Sequence, residues 1–176
     1  ANVCAAESLE AKRTPLIYRV HEAPSVEKLH GLREVLKTFD ITLPKQGNLR
    51  PGQFNGILAR VRGSDAEPLV NEMVLRAQAQ AAYDPENVGH FGLALQRYAH
   101  FTSPIRRYAD LIVHRALVRA LKLGDDGLAD GDMATLSATA RDISVAERRA
   151  MAAERETADR LNAAFDWDEG VFAGIA

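Results

Sequence analysis

The sequence predicts an α/β domain that is mainly helical and contains only a few short strands. Apolar residues recur at helical spacing through most of the 176-residue chain, whereas runs rich in β-forming residues are short. Prolines and glycines separate the helical segments. Hydrophobic residues make up 47% of the chain and charged residues 26%, which is enough apolar material for a globular core.

The first part of the chain alternates predicted helices with loops and one short strand. Pro15 ends the first helix, and the run of β-forming residues that follows it is a strand candidate. In chain order we predict a helix over 2–13, a strand over 16–20, a helix over 24–40, a loop over 43–52, helices over 53–61 and 68–82, a turn over 84–87 and an irregular segment over 91–101.

Two longer helices are predicted in the second part of the chain. Ser103 is a good N-cap and Pro104 suits the first helical position, so we expect the first of these helices over 104–122. Gly124 ends it. An acidic, glycine-rich loop over 124–131 leads into the second helix, which is expected over 132–165 and is rich in alanine, glutamate and arginine.

Composition excludes some classes of protein and leaves others open. A net charge of −2 gives no general sign of nucleic-acid binding, so any RNA affinity must come from a local basic site. No apolar run reaches the roughly 18 residues that a membrane span needs, and we expect no membrane partner. Cys4 is the single cysteine and cannot form an internal disulfide, which favours a cytoplasmic location.

The two ends of the sequence differ from those of a complete domain. The chain begins inside a predicted helix and stops in a strand-like run that has only just begun. We therefore expect a fragment of a longer protein.

A helix that begins at Ser103 would place Arg106 and Arg107 in its first turn. The N-terminus of a helix carries free backbone N–H groups and a partial positive charge, which suit an anion. Two arginines at that position are favourable if a phosphate joins them, because the guanidinium fork matches phosphate oxygens. The alternative is that both arginines pair with acids such as Asp110.

The run HFTSPIRRYADL, residues 100–111, resembles the signature of the ribonuclease II/ribonuclease R family. Residues 1–3, 18–21, 90–93 and 153–156 are also similar to segments of that family, in the same order along the chain. The resemblance covers residues 1–165 and is closest to the ribonuclease R branch. It implies the C-terminal half of an RNB-type exoribonuclease catalytic domain over 1–165. Residues 166–176 would be a linker and the first strand of a truncated OB-fold RNA-binding domain.

The resemblance also implies an activity and its partners. Members of the family are processive 3′→5′ hydrolytic exoribonucleases that act on the 3′ end of single-stranded RNA and release nucleoside 5′-monophosphates. They depend on Mg²⁺, whose aspartate ligands lie in the N-terminal half of the domain. We therefore expect no metal ligands in this chain. Asp125 and Asp126 lack the context of that motif, and we interpret them as part of a solvated loop. The chain alone is therefore expected to be inactive.

Carried over by resemblance, Arg106 is the catalytic arginine that binds the scissile phosphate. Arg107 would touch the RNA backbone or an acid, and Tyr98, Thr102 and Ser103 would line the same pocket. The alternative roles are packing for Tyr98 and helix capping for Ser103.

Glu154 has additional support from spacing, because it lies with Glu147 on an otherwise apolar stripe of the long helix. A carboxylate on the buried side of a helix needs a partner. By resemblance Glu154 contacts the terminal nucleotide, and the alternative is a salt bridge to an internal arginine. His114 and Asp110 lie in a row on one helix face and are predicted to support Arg106.

Two other functions remain open from the sequence. One is a non-catalytic RNA-binding or scaffold fragment that lacks the metal site. The other is a helical protein-interaction domain in which the motif is fortuitous. A clustered aspartate motif upstream of Ala1 would indicate the enzyme, and salt-dependent RNA binding would exclude the interaction domain.

Overall fold

The structure is a computed structural model that describes residues 1–43 and 49–164. The described residues are mainly helical with one small sheet, which confirms the predicted fold class. Predicted features of residues 44–48 and 165–176, including the start of an OB-fold, lie outside the described residues. The elements are α1 (Asn2–Ala11), β1 (Tyr18–Val20), α2 (Val26–Lys37), α3 (Pro51–Val61), α4 (Glu67–Ala77), β2 (Ala82–Asp84), a 3₁₀ turn (Phe91–Leu93), α5 (Tyr108–Leu121), α6 (Asp130–Ala134) and α7 (Leu136–Ala164).

Strands β1 and β2 form an antiparallel pair in which Arg19 lies opposite Tyr83. The sequence did not predict β2, because the segment before it is rich in alanine and glutamine and continues a helical pattern. Pairing with β1 overrides that local preference. The N–H of Tyr83 also donates to the Ser144 hydroxyl at 2.9 Å, which ties β2 to α7.

The apolar side chains of the described residues form two separate cores. The first joins α1, the sheet, α5 and the start of α7, with Leu9, Ile17 and Val113 fully buried. The second joins α2, α3 and α4 around Leu36 and Val70. The first core is the one that fixes the candidate site, because the loop before α5 emerges from it.

The predicted helix over 104–122 is wrong at its start. Helix α5 begins at Tyr108, with Arg107 as its N-cap, and the residues before it form a turn. In that turn the carbonyl of Ser103 accepts hydrogen bonds from the N–H groups of Arg106, at 3.3 Å, and Arg107, at 3.1 Å. Ser103 therefore does not cap α5, and Arg106 lies outside the helix.

The long helix predicted over 132–165 is also interrupted. Helix α6 ends at Ala134, and α7 begins at Leu136 after a break at Thr135. The Thr135 hydroxyl donates to the carbonyls of Gly131 and Asp132, a local bond that competes with helix continuation.

Candidate nucleic-acid interface

Arg106 lies at the exposed tip of the loop 98–107, which precedes α5. Its neighbour Ile105 is 98% exposed. Within residues 1–43 and 49–164, no side chain forms a hydrogen bond or an ion pair with the Arg106 guanidinium. All five guanidinium donors of this arginine are therefore available to a ligand.

Asp110 is a fully buried carboxylate directly beneath this loop. Its Oδ1 accepts the N–H of Ser103 at 2.8 Å, and the Nε and Nη2 of Arg107 donate to its two oxygens, both at 2.8 Å. Burial raises the pKa of Asp110, but the hydrogen bonds from Arg107 and Ser103 outweigh it and the net pKa is lowered. The same bond raises the pKa of Arg107. The pair is thus charged and held at three points.

Two more side chains fix the backbone of the loop at Phe101. His114 Nε2 lies 2.8 Å from the Phe101 carbonyl, and the two rings stack with centroids 4.2 Å apart. From α1, Asn2 Oδ1 accepts the N–H of Phe101 at 3.1 Å, while its Nδ2 donates to the Tyr98 hydroxyl at 2.9 Å. The loop backbone is therefore anchored on both sides, and only its tip is free.

A cluster of rings and charges lies beside the loop. The Arg19 guanidinium carbon lies 4.6 Å from the centroid of the Tyr83 ring, and its Nη1 pairs with Glu147 at 2.6 Å. The Tyr83 hydroxyl and His100 Nδ1 share a hydrogen bond of 2.9 Å. Tyr98 meets His100 edge to face, with centroids 5.7 Å apart. Burial raises the pKa of Tyr83, so its hydroxyl stays protonated.

Burial, together with the nearby cations Arg107 and Arg19, lowers the pKa of His100 to about 4. The unfolded chain, with an ordinary pKa of about 6.5, therefore binds this proton more tightly than the folded chain does. The stability that neutral His100 contributes is complete above about pH 6.5 and is lost as the pH falls toward about 4.

We expect His100→Gln to lose less stability than the wild type when the pH falls from about 7 to about 4. Glutamine can still bond Tyr83 but does not take up a proton. Urea unfolding at a series of pH values measures the difference, with the exposed His30→Gln as the control that should follow the wild type. Parallel loss of stability in wild type and His100→Gln would show that His100 does not govern this pH range.

The structure brings most of the predicted site residues together on one loop. Arg106, Arg107, Ser103, Thr102 and Tyr98 all lie within residues 98–107. The helix N-terminus that was to bind the anion is absent at Arg106, so that part of the phosphate argument fails. The acid-pairing alternative holds for one arginine, since Arg107 pairs with Asp110 and Arg106 does not.

The side chains of His114 and Asp110, which were predicted to support Arg106, contact the loop that carries it. These side chains hold Arg107 and the loop backbone and do not touch Arg106. Any support they give to Arg106 is therefore indirect.

The predicted burial of Glu154 is wrong, and among the described residues no hydrogen bond or ion pair joins it to this loop. Helix α7 is exposed on every side from Arg148 to Asn162, so the apolar stripe is covered only up to Glu147. Among the described residues Glu154 has no bonded partner. The carboxylate that does find an internal arginine is Glu147, paired with Arg19.

Sequence reasoning missed Asn2, Arg19 and Tyr83 as neighbours of the site. No local pattern marks Asn2 or Tyr83, because both reach the loop through tertiary contacts. Glu147 was noticed on the apolar stripe, and the need of a half-buried carboxylate for a cation could have suggested an arginine on the strand.

The part of the chain that the structure describes does not fit a magnesium site. Among residues 1–43 and 49–164, no three His, Cys, Asp or Glu side chains are grouped so as to hold a metal ion. Asp125 and Asp126 are exposed in the loop after α5.

None of the described helices combines the length and the apolar character that crossing a bilayer requires.

Comparisons with known protein sequences identify one domain family. The RNB domain family matches residues 1–123. Ribonuclease R of Aquifex aeolicus is 44% identical over 165 residues, which cover 94% of this chain and 23% of that protein. Ribonuclease R of Escherichia coli is 40% identical over 185 residues, which cover 99% of this chain and again 23% of the relative.

Solved structures show the same similarity. Mycoplasma genitalium RNase R in complex with ribose-methylated single-stranded RNA superposes with a TM-score of 0.80 at 30% identity, over 92% of this chain and 26% of that one. Yeast Ssd1, described as a pseudonuclease, shares the fold with a TM-score of 0.66 at 24% identity, over 81% of this chain and 18% of its own. The chain thus spans about a quarter of the length of its ribonuclease R relatives. Because the RNB match covers most of the chain, the motif is not fortuitous, and this chain belongs to the RNB domain family.

Proposed function

We propose that the chain is part of a 3′→5′ hydrolytic exoribonuclease that degrades RNA to nucleoside 5′-monophosphates. In this proposal it supplies the phosphate-binding arginine and a wall of the RNA channel. The observation that carries it is the unpaired, exposed guanidinium of Arg106 on an anchored loop, in a chain of the RNB family. A cation without an internal partner, held above a fixed backbone, suits an anionic ligand.

Arg106 would bind the scissile phosphate and stabilise the charge that develops on it in the transition state. Arg107 uses Nε and Nη2 for Asp110, which leaves Nη1 free for the RNA backbone. The hydroxyls of Thr102 and Ser103 and the ring of Tyr98 lie on the same loop and would line the pocket. Glu154, on the exposed part of α7, would contact the terminal nucleotide.

The remaining machinery would come from elsewhere in the intact protein. Mg²⁺ would be held by aspartates of the missing N-terminal half of the domain, since the residues described here do not fit it. Residues 1–165 would complete that catalytic domain, and 166–176 would lead into an OB-fold. The substrate would be the 3′ end of single-stranded RNA, in the cytoplasm. Related structures hold ribose-methylated single-stranded RNA and double-stranded RNA.

A second candidate is a non-catalytic RNA-binding or scaffold protein. It needs no metal site in the intact protein, and a protein described as a pseudonuclease shares this fold. Both candidates keep the basic loop, so RNA binding alone does not separate them. A cluster of aspartates upstream of Ala1 would favour the enzyme.

The test is degradation of a 5′-labelled single-stranded RNA by the intact protein with Mg²⁺. An exoribonuclease of this polarity shortens the labelled RNA in single-nucleotide steps from its 3′ end and releases nucleoside 5′-monophosphates. Internal cleavage would contradict the proposed reaction. Salt-dependent binding without cleavage would favour the non-catalytic candidate.

A further inference from the structure

We infer that Asp110 is a positioning residue for Arg106, acting through the backbone turn 103–107; this inference rests on the proposed function. The Arg106 side chain has no partner, so the loop backbone alone sets the position from which it extends. Both ends of that turn are tied to one carboxylate. Asp110 accepts the N–H of Ser103 at the start of the turn and the guanidinium of Arg107 at its end, with every distance at 2.8 Å.

The burial of Asp110 makes this arrangement rigid. The residue is 0% exposed, so its charge depends on these donors to offset the cost of burial. Charge-assisted hydrogen bonds are short and strong, and two parallel bonds to one guanidinium also fix its orientation. The carboxylate thus closes the turn from its buried side, while the side chains of Ile105 and Arg106 are exposed.

A second tie lies on the other side of the loop. Asn2 bonds the Phe101 N–H and the Tyr98 hydroxyl, and it comes from α1, far away in sequence. It restrains the same loop without a buried charge. Asn2 therefore offers a milder perturbation in the same direction as Asp110.

The experiment is a double-mutant cycle in the intact enzyme, with single-turnover cleavage of a short RNA and equilibrium affinity measured together. In Asp110→Asn the amide oxygen can still accept the Ser103 N–H, but the amide NH₂ cannot accept from Arg107. We expect a rate loss of about 10- to 100-fold, because misplacement by about 1 Å is that costly. RNA affinity should change far less.

The diagnostic result concerns the Arg106→Ala background. There Asp110→Asn should cause little further loss of rate, because the group that it positions is already gone. Asn2→Ala should show a smaller loss that also vanishes in that background, which keeps the test valid if Asp110→Asn folds poorly. Asp142→Asn, an exposed acid on α7, is the matched control and should cleave like the wild type. Equal losses with and without Arg106 would overturn the inference.

Hydrogen exchange separates this inference from the proposed reaction. In Asp110→Asn the amides of Ser103 and of residues 105–107 should exchange faster while those of the α5 core keep their protection. If the intact wild type cleaves no RNA, the proposed reaction fails, and the exchange result alone then decides whether Asp110 holds the turn. Unchanged exchange at Ser103 and residues 105–107 would overturn that role.

Discussion

Under the proposed function, Arg106→Ala should lower the RNA cleavage rate of the intact protein by about 10² to 10³-fold, the usual effect of removing one donor to a developing negative charge. RNA affinity should fall by only about fivefold or less, because phosphate contacts along the strand share the binding. The loss appears mainly in the chemical step, since the guanidinium acts on charge that grows in the transition state. Single-turnover cleavage beside equilibrium binding at fixed salt measures both quantities.

Two further variants test whether the effect is specific to the Arg106 guanidinium. Lysine keeps a point charge but lacks the planar fork, so Arg106→Lys should recover only part of the lost rate. Arg141→Ala, which removes an exposed arginine from α7, should cleave within a few-fold of the wild type. A loss in Arg106→Ala that weaker binding fully explains would remove Arg106 from the catalytic group.

The isolated 176-residue chain should release no nucleoside monophosphates from RNA in the presence of Mg²⁺. The described residues offer no group of side chains that could hold the metal. The aspartates over 125–132 do not form one, and Asp130 and Asp132 pair with arginines of α5. Without a metal to generate and orient the nucleophile, a phosphate-binding arginine alone does not hydrolyse the diester. The assay measures mononucleotide release over long incubation at high protein concentration.

Trace nuclease contamination is the main competing source of signal in that assay. The same chain carrying Arg106→Ala, purified in parallel, provides the control. Equal release from both preparations indicates contamination. Release that disappears with Arg106→Ala would show that the chain carries its own catalytic carboxylates. That result would contradict the proposal that the metal-binding aspartates lie in the upstream half of the domain.

The order of the helices was predictable because apolar spacing and proline punctuation are local signals. The start of α5 was not predictable from these local signals. Ser103 and Pro104 form a strong local start signal, but the carboxylate of Asp110, seven residues further on, binds the Ser103 N–H and closes a turn instead. Helix α5 begins after this turn, at Tyr108.

The site was predictable in its residues but not in its contacts. The motif places Arg106 and Arg107 side by side, yet only tertiary structure shows that one pairs with Asp110 and the other is free. Glu154 illustrates the opposite error. Its stripe predicts a packed face, but none of the described elements covers that part of α7. Periodicity reports that a face is apolar and does not report what covers it.

The most direct test of the central claim is the structure of the intact protein bound to an uncleavable, ribose-methylated single-stranded RNA. The account predicts a guanidinium nitrogen of Arg106 at about 2.7–3.0 Å from an oxygen of the 3′-terminal phosphodiester. It also predicts that Asp110 keeps its bonds to Ser103 and Arg107. An Arg106 side chain paired with a carboxylate of the upstream half, or turned away from the RNA, would contradict the account.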